Sequence, residues 1–300
     1  MQKRSEHAFP VTFAPIDLPE DFPCSASGLF VQKDAPIRSL HRHGCLELGY
    51  CHAGSGVFMV DRKALPFHAG DVSVIGSSEF HLAQSVAGTV SRWTWVNVDP
   101  QRLLAPICTD DVRVLNPRQL RGDGFSNLVT PQQDPELGRL LKIVIAELQN
   151  QRDGFRSAVR GLVRTVMCRL RRLPGIVADG HDAPHETQRT DALERVAPAL
   201  QTMLSQYSKP MAMPRLAEQC GMSNITFRRV FKTATGDSPL AYLTQLRIRM
   251  ASTMLDTTSR FISDIAMASG FPTLSSFNRH FRASLQASPR QWRTRADRTS

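Results

Sequence analysis

The sequence predicts a multidomain protein with an all-β barrel at the N-terminus, a helical connector, and an all-α C-terminal domain made of two helix-turn-helix units in tandem. Three observations predict it. Short runs rich in Val, Phe and Trp crowd the first part of the chain, an apolar period of 3.6 begins near Asp134, and the segment from about residue 213 to 293 states one pattern twice.

The strands come first. Gly28 to Gln32, Cys45 to His52, Gly56 to Val60, Asp71 to Ile75 and Val90 to Val98 are bounded by Gly, Pro, Asp or Ser, and several short strands so close together predict a sandwich or barrel over residues 1–130. Between Asp134 and Asn150, Leu137, Leu140, Leu141, Val144, Ile145 and Leu148 mark one face of an amphipathic helix. Gly154 interrupts, and a second helix follows to about Leu173 with Val159, Leu162, Val163, Val166, Met167 and Leu170. This connector, 131–173, either covers the strand domain or offers Leu137, Leu141, Val144 and Leu148 to a second copy as a homodimer contact. Residues 174–189 carry Pro, Gly and Asp without an apolar period, which predicts a linker.

The repeat occupies the domain from 190 to 296. Leu216-Ala217 is answered by Ile265-Ala266, Gly221 by Gly270, Ser223 by Thr273, Phe227 by Phe277, Arg229 by Arg279, Phe231-Lys232 by Phe281-Arg282 and Ser238-Pro239 by Ser288-Pro289. Each copy reads as a short helix, a glycine turn, a hydroxyl cap and a helix bearing arginine, the order of a helix-turn-helix, at about 212–234 and 262–284. Phe227, Val230 and Phe231 form the buried stripe of the first second-helix, and Phe277, His280 and Phe281 that of the other. Ile225, Arg228, Arg229 and Lys232, and then Leu274, Ser275, Asn278 and Arg279, are left to face a major groove. There Arg suits guanine, Asn suits adenine, and either arginine would equally hold phosphate. Between the copies, Leu240, Leu243, Leu246, Met250, Met254 and Leu255 predict one helix, long enough to set the two units about a turn of DNA apart. The offset of 49 becomes 50 inside the second turn, so the two halves are expected to be unequal.

Charge agrees with this reading. The net charge is +10, and from Thr190 to Ser300 there are 15 Lys and Arg against 7 Asp and Glu, the excess that phosphate neutralisation requires. No run approaches the ~18 to 20 apolar residues of a membrane helix, and Met1 to Glu20 lack the core of a signal peptide, so a cytoplasmic protein with no membrane partner is expected. Cys24, Cys45, Cys51, Cys108, Cys168 and Cys220 form no C-x-x-C pair and are expected to be reduced.

On these residues the segment from about Leu193 to Arg293 resembles the homeodomain-like DNA-binding domain of the AraC/XylS family. LAEQCGMSNITFRRVFKTATGDSPLAYL matches the first unit and ISDIAMASGFPTLSSFNRHFRASLQASPRQW the second. Gln286 stands where the family usually has Gly, Pro272 sits in the second turn, and Trp292 replaces a commoner Tyr. The resemblance implies a sequence-specific transcriptional regulator, an activator, with double-stranded DNA, a small-molecule effector and RNA polymerase as partners and no catalytic residue. It implies DNA contacts from Ile225, Arg228 and Arg229 and from Leu274, Ser275, Asn278 and Arg279.

In the first domain, His41-x-His43-x3-Glu47-x6-Gly54 resembles the first motif of the cupin barrel, and His81 falls where the second motif supplies its histidine. The resemblance implies an effector pocket lined by some of His41, His43, Glu47, His81, Trp93 and Trp95. No cofactor is required, but His41, His43, Glu47 and His81 would suit a divalent metal such as Fe, Mn, Ni or Zn. Two rival functions stay open at this point: a cupin metalloenzyme fused to a DNA-binding module, and a non-specific architectural DNA binder.

Overall fold

The computed structural model describes residues 12–33, 41–61, 63–77, 79–107, 116–122, 124–175 and 183–296. The strands are β1 (Thr12–Phe13), β2 (Cys24–Ala26), β3 (Phe30–Lys33), β4 (His41–Arg42), β5 (Leu46–Ala53), β6 (Ser55–Val60), β7 (Lys63–His68), β8 (Val72–Ile75), β9 (His81–Ser85), β10 (Val90–Val98) and β11 (Leu128–Val129). The helices are α1 (Pro100–Leu104), α2 (Pro135–Asn150), α3 (Phe155–Leu170), α4 (Ala183–Gln206), α5 (Met213–Gln219), α6 (Asn224–Thr235), α7 (Pro239–Thr257), α8 (Ile262–Ala268), α9 (Leu274–Leu285) and α10 (Pro289–Ala296).

Two sheets face each other, one ordered β1-β4-β9-β6-β7 and the other β11-β8-β5-β10-β2, with β3 also paired to β10. Alternation along each strand sends its side chains two ways. Cys51, Phe58, Val60, Phe67, Ile75 and Trp93 fill the space between the sheets. On the second sheet Leu46, Leu48, Val72, Val74, Val96 and Val98 point outward and meet α2 and α3. On the first sheet Val57, Met59 and Leu82 point outward and join the core of the C-terminal helices, with Leu193, Val196, Leu200, Leu246 and Met250. Both sheets are therefore covered on both faces, which explains why β6 is buried along its whole length.

The connector helices belong to this core. Leu137, Leu141, Val144 and Leu148 are buried against the barrel, so the chain's own interior uses the face that the sequence also offered to a dimer. Asp134 caps α2 by accepting from the Glu136 and Leu137 N–H groups, and it takes three hydrogen bonds from Arg169 at 2.7, 2.8 and 3.1 Å, tying α3 to the start of α2.

Several expectations need correction. The linker is shorter than 174–189: α4 begins at Ala183, and residues 176–182 lie outside the described residues, as does Cys108. Pro184 is tolerated in a first helical turn, and residues 183–189 contain no large apolar residue whose period would reveal the helix. Strands β1, β2, β4, β7, β9 and β11 escape the sequence reading because they are short or, like Lys63–His68 with its Pro66 and His81–Ser85, lack β-branched runs. Leu240, expected in the stripe of α7, is 61% exposed, and His280 is half-buried rather than core. Phe271 takes part of the space expected for His280, packing on Phe277 with ring centroids 5.3 Å apart.

A polar network pins the loop before β11 to the barrel. Glu79 Oε2 accepts from the Gly76 N–H at 2.7 Å and from Asn127 Nδ2 at 3.0 Å, while Lys63 Nζ donates to the carbonyls of Gly122 and Phe125 at 2.9 and 3.0 Å. Burial, reinforced by the charge of Asp61, pushes the Glu79 carboxyl up to about 7. Because the folded value lies above the ordinary carboxylate range, the acid stabilises the fold when protonated, and this contribution is lost as pH rises through about 7. Glu79→Gln keeps an acceptor for both N–H groups without the charge. Its expected outcome is a stability gain of about 2–3 kcal/mol at pH 8 and none near pH 4.5, measured by urea denaturation across pH.

Candidate nucleic-acid interface and the buried histidine cluster

The two helix-turn-helix units are built by the same local rules. In the first, the Met222 N–H bonds to the Ala217 carbonyl at 2.9 Å, with Gly221 at φ +65°, and the Ser223 hydroxyl caps α6 by accepting from the Thr226 N–H. In the second, the Phe271 N–H bonds to Ala266 at 3.1 Å, with Gly270 at φ +86°, and Thr273 caps α9 by accepting from the Ser276 N–H. The extra residue, Pro272, lengthens the second turn between α8 and α9 without changing its hydrogen-bond plan. Phe227 and Phe231 in α6, and Phe277 and Phe281 in α9, are fully buried.

Opposite these stripes, the eight residues expected at DNA all reach solvent. Ile225 is 84% exposed, an apolar side chain left in water on a helix otherwise anchored by phenylalanines, and Arg228, Arg229 and Lys232 are exposed beside it. Leu274, Ser275, Asn278 and Arg279 are exposed on α9. Between the units α7 runs 19 residues, about 28 Å at ~1.5 Å per residue. Arg247 fastens it to the end of α4 through the carbonyls of Tyr207 and Lys209 at 2.7 and 2.9 Å. Gly270 is required at that junction, since a Cβ there would lie 2.8 Å from the Tyr207 oxygen and 2.9 Å from Arg247 Nε.

Inside the barrel, His43, Glu47 and His81 converge, all buried, with one ligand atom of each within 4.8 Å of the others. His43 Nε2 lies 3.2 Å from Glu47 Oε2, and His81 Nε2 lies 3.4 Å from Oε1. The opposite ring nitrogens are committed elsewhere: Nδ1 of His43 donates to the Cys45 carbonyl at 3.1 Å and Nδ1 of His81 to the Glu79 carbonyl at 2.9 Å. In neutral rings this tautomer leaves two lone pairs aimed at one carboxylate, so the arrangement calls for a positive charge between them. Burial opposes a charge on His43, but its hydrogen bonds and the Glu47 carboxylate outweigh it and push the imidazole up to about 10. Glu47 itself resists ionisation through burial, yet its contacts with both histidines hold it well below the usual range.

His41 stands beside the cluster, 4.4 Å from the His81 ring centroid, but is not one of the three converging residues. Trp93 is wholly buried and packed edge-on against Phe58 and Phe67, with its indole N–H donating to Ser91 Oγ. Trp95 stacks flat on Trp93, and Gly49 opposite leaves room for its ring. Phe58, which the sequence reading passed over, joins the groups: its ring lies 6.4 Å from His81 and 5.9 Å from Trp95.

The barrel and the C-terminal helices meet on polar contacts as well as apolar ones. Arg42 pairs with Glu194 at 3.2 Å and Arg189 with Asp61 at 3.4 Å. The Tyr242 hydroxyl points to Met59 Sδ at 2.7 Å, and Thr253 Oγ1 donates to the Gly56 carbonyl at 3.5 Å. Met59 and Phe58 are adjacent on β6 and face opposite ways, one toward α7 and one toward the histidines.

Family models match both regions: an AraC-like ligand binding domain over residues 26–167 and a helix-turn-helix domain over residues 216–295. The transcriptional activator RhaR of Klebsiella pneumoniae is 39% identical over 115 residues, 38% of this chain and 40% of the relative. That of Mannheimia succiniciproducens is 22% identical over 279 residues, 89% of this chain and 94% of the relative. Among solved structures, the DNA-binding domain of AdpA in complex with a target DNA is 30% identical over 35% of this chain and 97% of that one, with a TM-score of 0.34. With the ligand binding domain in front and the helix-turn-helix domain behind, the chain belongs to the AraC/XylS family of helix-turn-helix regulators.

Proposed function

We propose that this chain is a sequence-specific regulator of transcription that reads double-stranded DNA with α6 and α9 and responds to a small molecule taken up by its barrel. The observation that carries the reading is the exposure of all eight expected contact residues on two recognition helices whose opposite faces are fully anchored. Arg228 and Arg229, with Lys232, offer guanine and phosphate contacts from α6; Asn278 and Arg279 offer adenine and phosphate contacts from α9, with Leu274 against a thymine methyl. RNA polymerase is the expected protein partner, and the relatives' designation as activators favours activation. No described helix is long and apolar enough to cross a membrane, and a cytoplasmic location accords with the proposed work on DNA.

A response to effector has a short path. A ligand that moved Phe58 or His81 would strain β6, and through Met59 and Val57 it would press on α7, the helix that spaces the two recognition helices. The effector pocket is assigned to the interior bounded by His41, His43, Glu47, His81 and Trp95, with Trp93 as its buried wall.

One observation favours a metal-dependent form of this reading. The Nε2 atoms of His43 and His81 converge on the two Glu47 oxygens at 3.2 and 3.4 Å, a donor set that fits a divalent cation held by His43, Glu47 and His81. Bound there, such an ion would supply a Lewis-acid anchor for an anionic or chelating effector.

Selection from a random duplex pool is expected to enrich a bipartite motif, and the absence of any motif would favour an architectural binder instead. Arg229→Ala is expected to weaken the selected duplex roughly 10- to 100-fold in a fluorescence titration at fixed salt. Glu47→Ala leaves the two imidazoles facing each other and is expected to cost about 3–5 kcal/mol of barrel stability in urea denaturation. Elemental analysis of the purified chain separates the two forms of the site. One equivalent of transition metal, absent from Glu47→Ala, supports the ion, and metal-free protein that still binds its duplex leaves a proton in its place.

A further inference from the structure

The two recognition helices end alike and are decorated differently. Each closes with a residue in the left-handed region whose N–H bonds back to the final turn: Gly236 at φ +82° to the Lys232 carbonyl, and Gln286 at φ +54° to the Arg282 carbonyl. Glycine takes that conformation freely, whereas glutamine takes it against the clash of its Cβ. Gln151 closes α2 in the same way at φ +48°, so the conformation alone assigns no role; what sets Gln286 apart is the place its side chain occupies.

That side chain lines a groove of about 760 Å³ between α9 and α10, together with Asn278, Arg279, Arg282, Ser288 and Arg290. No carboxylate lines it, and among the described residues none of the three guanidiniums is engaged in an ion pair. The Gln286 amide lies along the groove wall, donating to the Ala283 carbonyl at 3.2 Å. At the matching places in the first unit stand Gly236 for Gln286 and Leu240 for Arg290, so that unit lacks both the extra amide and the third cation. The groove also includes Leu274 and Asn278, so whatever enters it is continuous with a duplex lying against α9.

We infer that the groove between α9 and α10 seats a backbone phosphate of duplex DNA, with Arg279, Arg282 and Arg290 supplying the charge and Gln286 positioning the phosphate by a hydrogen bond from its amide. The inference rests on the proposed DNA-binding function and deepens it. The first unit has only Arg229 and Lys232 at the matching places, and the second adds Arg290 and the Gln286 amide to make a clamp that the first does not have. Three guanidiniums and an amide donor match an acceptor-only phosphodiester, and the fork of Arg binds its oxygens in pairs.

The test uses the full chain with two probes, its selected duplex and a random-sequence duplex of equal length. Gln286→Gly relieves the backbone and is expected to melt no lower than the parent, while binding the selected duplex five- to tenfold more weakly. The loss should be confined to the half-site of the second unit, where ethylation of one phosphate ceases to interfere. Arg290→Ala is expected to reduce the magnitude of the slope of log K against log salt by about 1 on both duplexes. Binding by Gln286→Gly within twofold of the parent, or an unchanged salt slope for Arg290→Ala, would overturn the clamp. Because the random duplex reports phosphate contact without sequence reading, failure to select a motif counts against the regulator, and an unchanged slope counts against the groove. Saturable binding of inorganic phosphate that Arg290→Ala abolishes while DNA affinity stays unchanged would also overturn the assignment to duplex DNA.

Discussion

Everything in the molecule turns on the need to cover the outward apolar face of the β1-β4-β9-β6-β7 sheet. Val57, Met59, Phe80 and Leu82 belong to the same buried cluster as Leu193, Val196, Leu200, Leu246 and Met250. At roughly 25 cal/mol per Å² of apolar surface removed from water, several such side chains are worth many kcal/mol, far more than the rim pairs Arg42–Glu194 and Arg189–Asp61, which are partly exposed and screened. The hydrophobic contact sets the docking, and the ion pairs lie at its rim. Once α7 lies on the sheet, Arg247 holds α4 to it, and the two helix-turn-helix units hang from the ends of one supported rod.

The barrel is a thin partition. β6 carries Phe58 on the side of the histidines and Met59 on the side of α7, one peptide apart. Close-packed interiors transmit displacement because their side chains have no slack. Under the proposed function, coupling between a ligand in the barrel and the spacing of α6 and α9 needs no long relay, only two arrangements of one sheet against one helix.

The helix-turn-helix domain was legible in the sequence because repetition supplies its own control: Ser223 and Thr273, Phe227 and Phe277, Gly221 and Gly270 each check the other, and caps and glycines act locally. The longest strands were legible for the same reason, since alternation is local. The short strands were not, because β4 and β9 are defined by their partners rather than by their own residues. At the histidine cluster the cupin-like spacing pointed to His41, His43, Glu47 and His81, of which the last three converge, and it was silent on the tautomers, which depend on the carbonyls of Cys45 and Glu79. The packing of Trp93 and Phe58 together, and the place of His41 against His81, depend on contacts across two sheets, as does the burial of Leu137 and Leu141 against the barrel.

Sharing one face between two domains has a price at the level of the gene as well as the fold. A chain cut within 176–182 would leave the barrel with Val57, Met59 and Leu82 in water and leave α7 with Leu246 and Met250 bare. Exposed apolar patches of that kind drive aggregation. The two halves look separable in sequence, each with its own family signature, yet neither half carries a complete solvent boundary. Exchange of one half for that of another protein therefore has to bring a matching apolar surface with it.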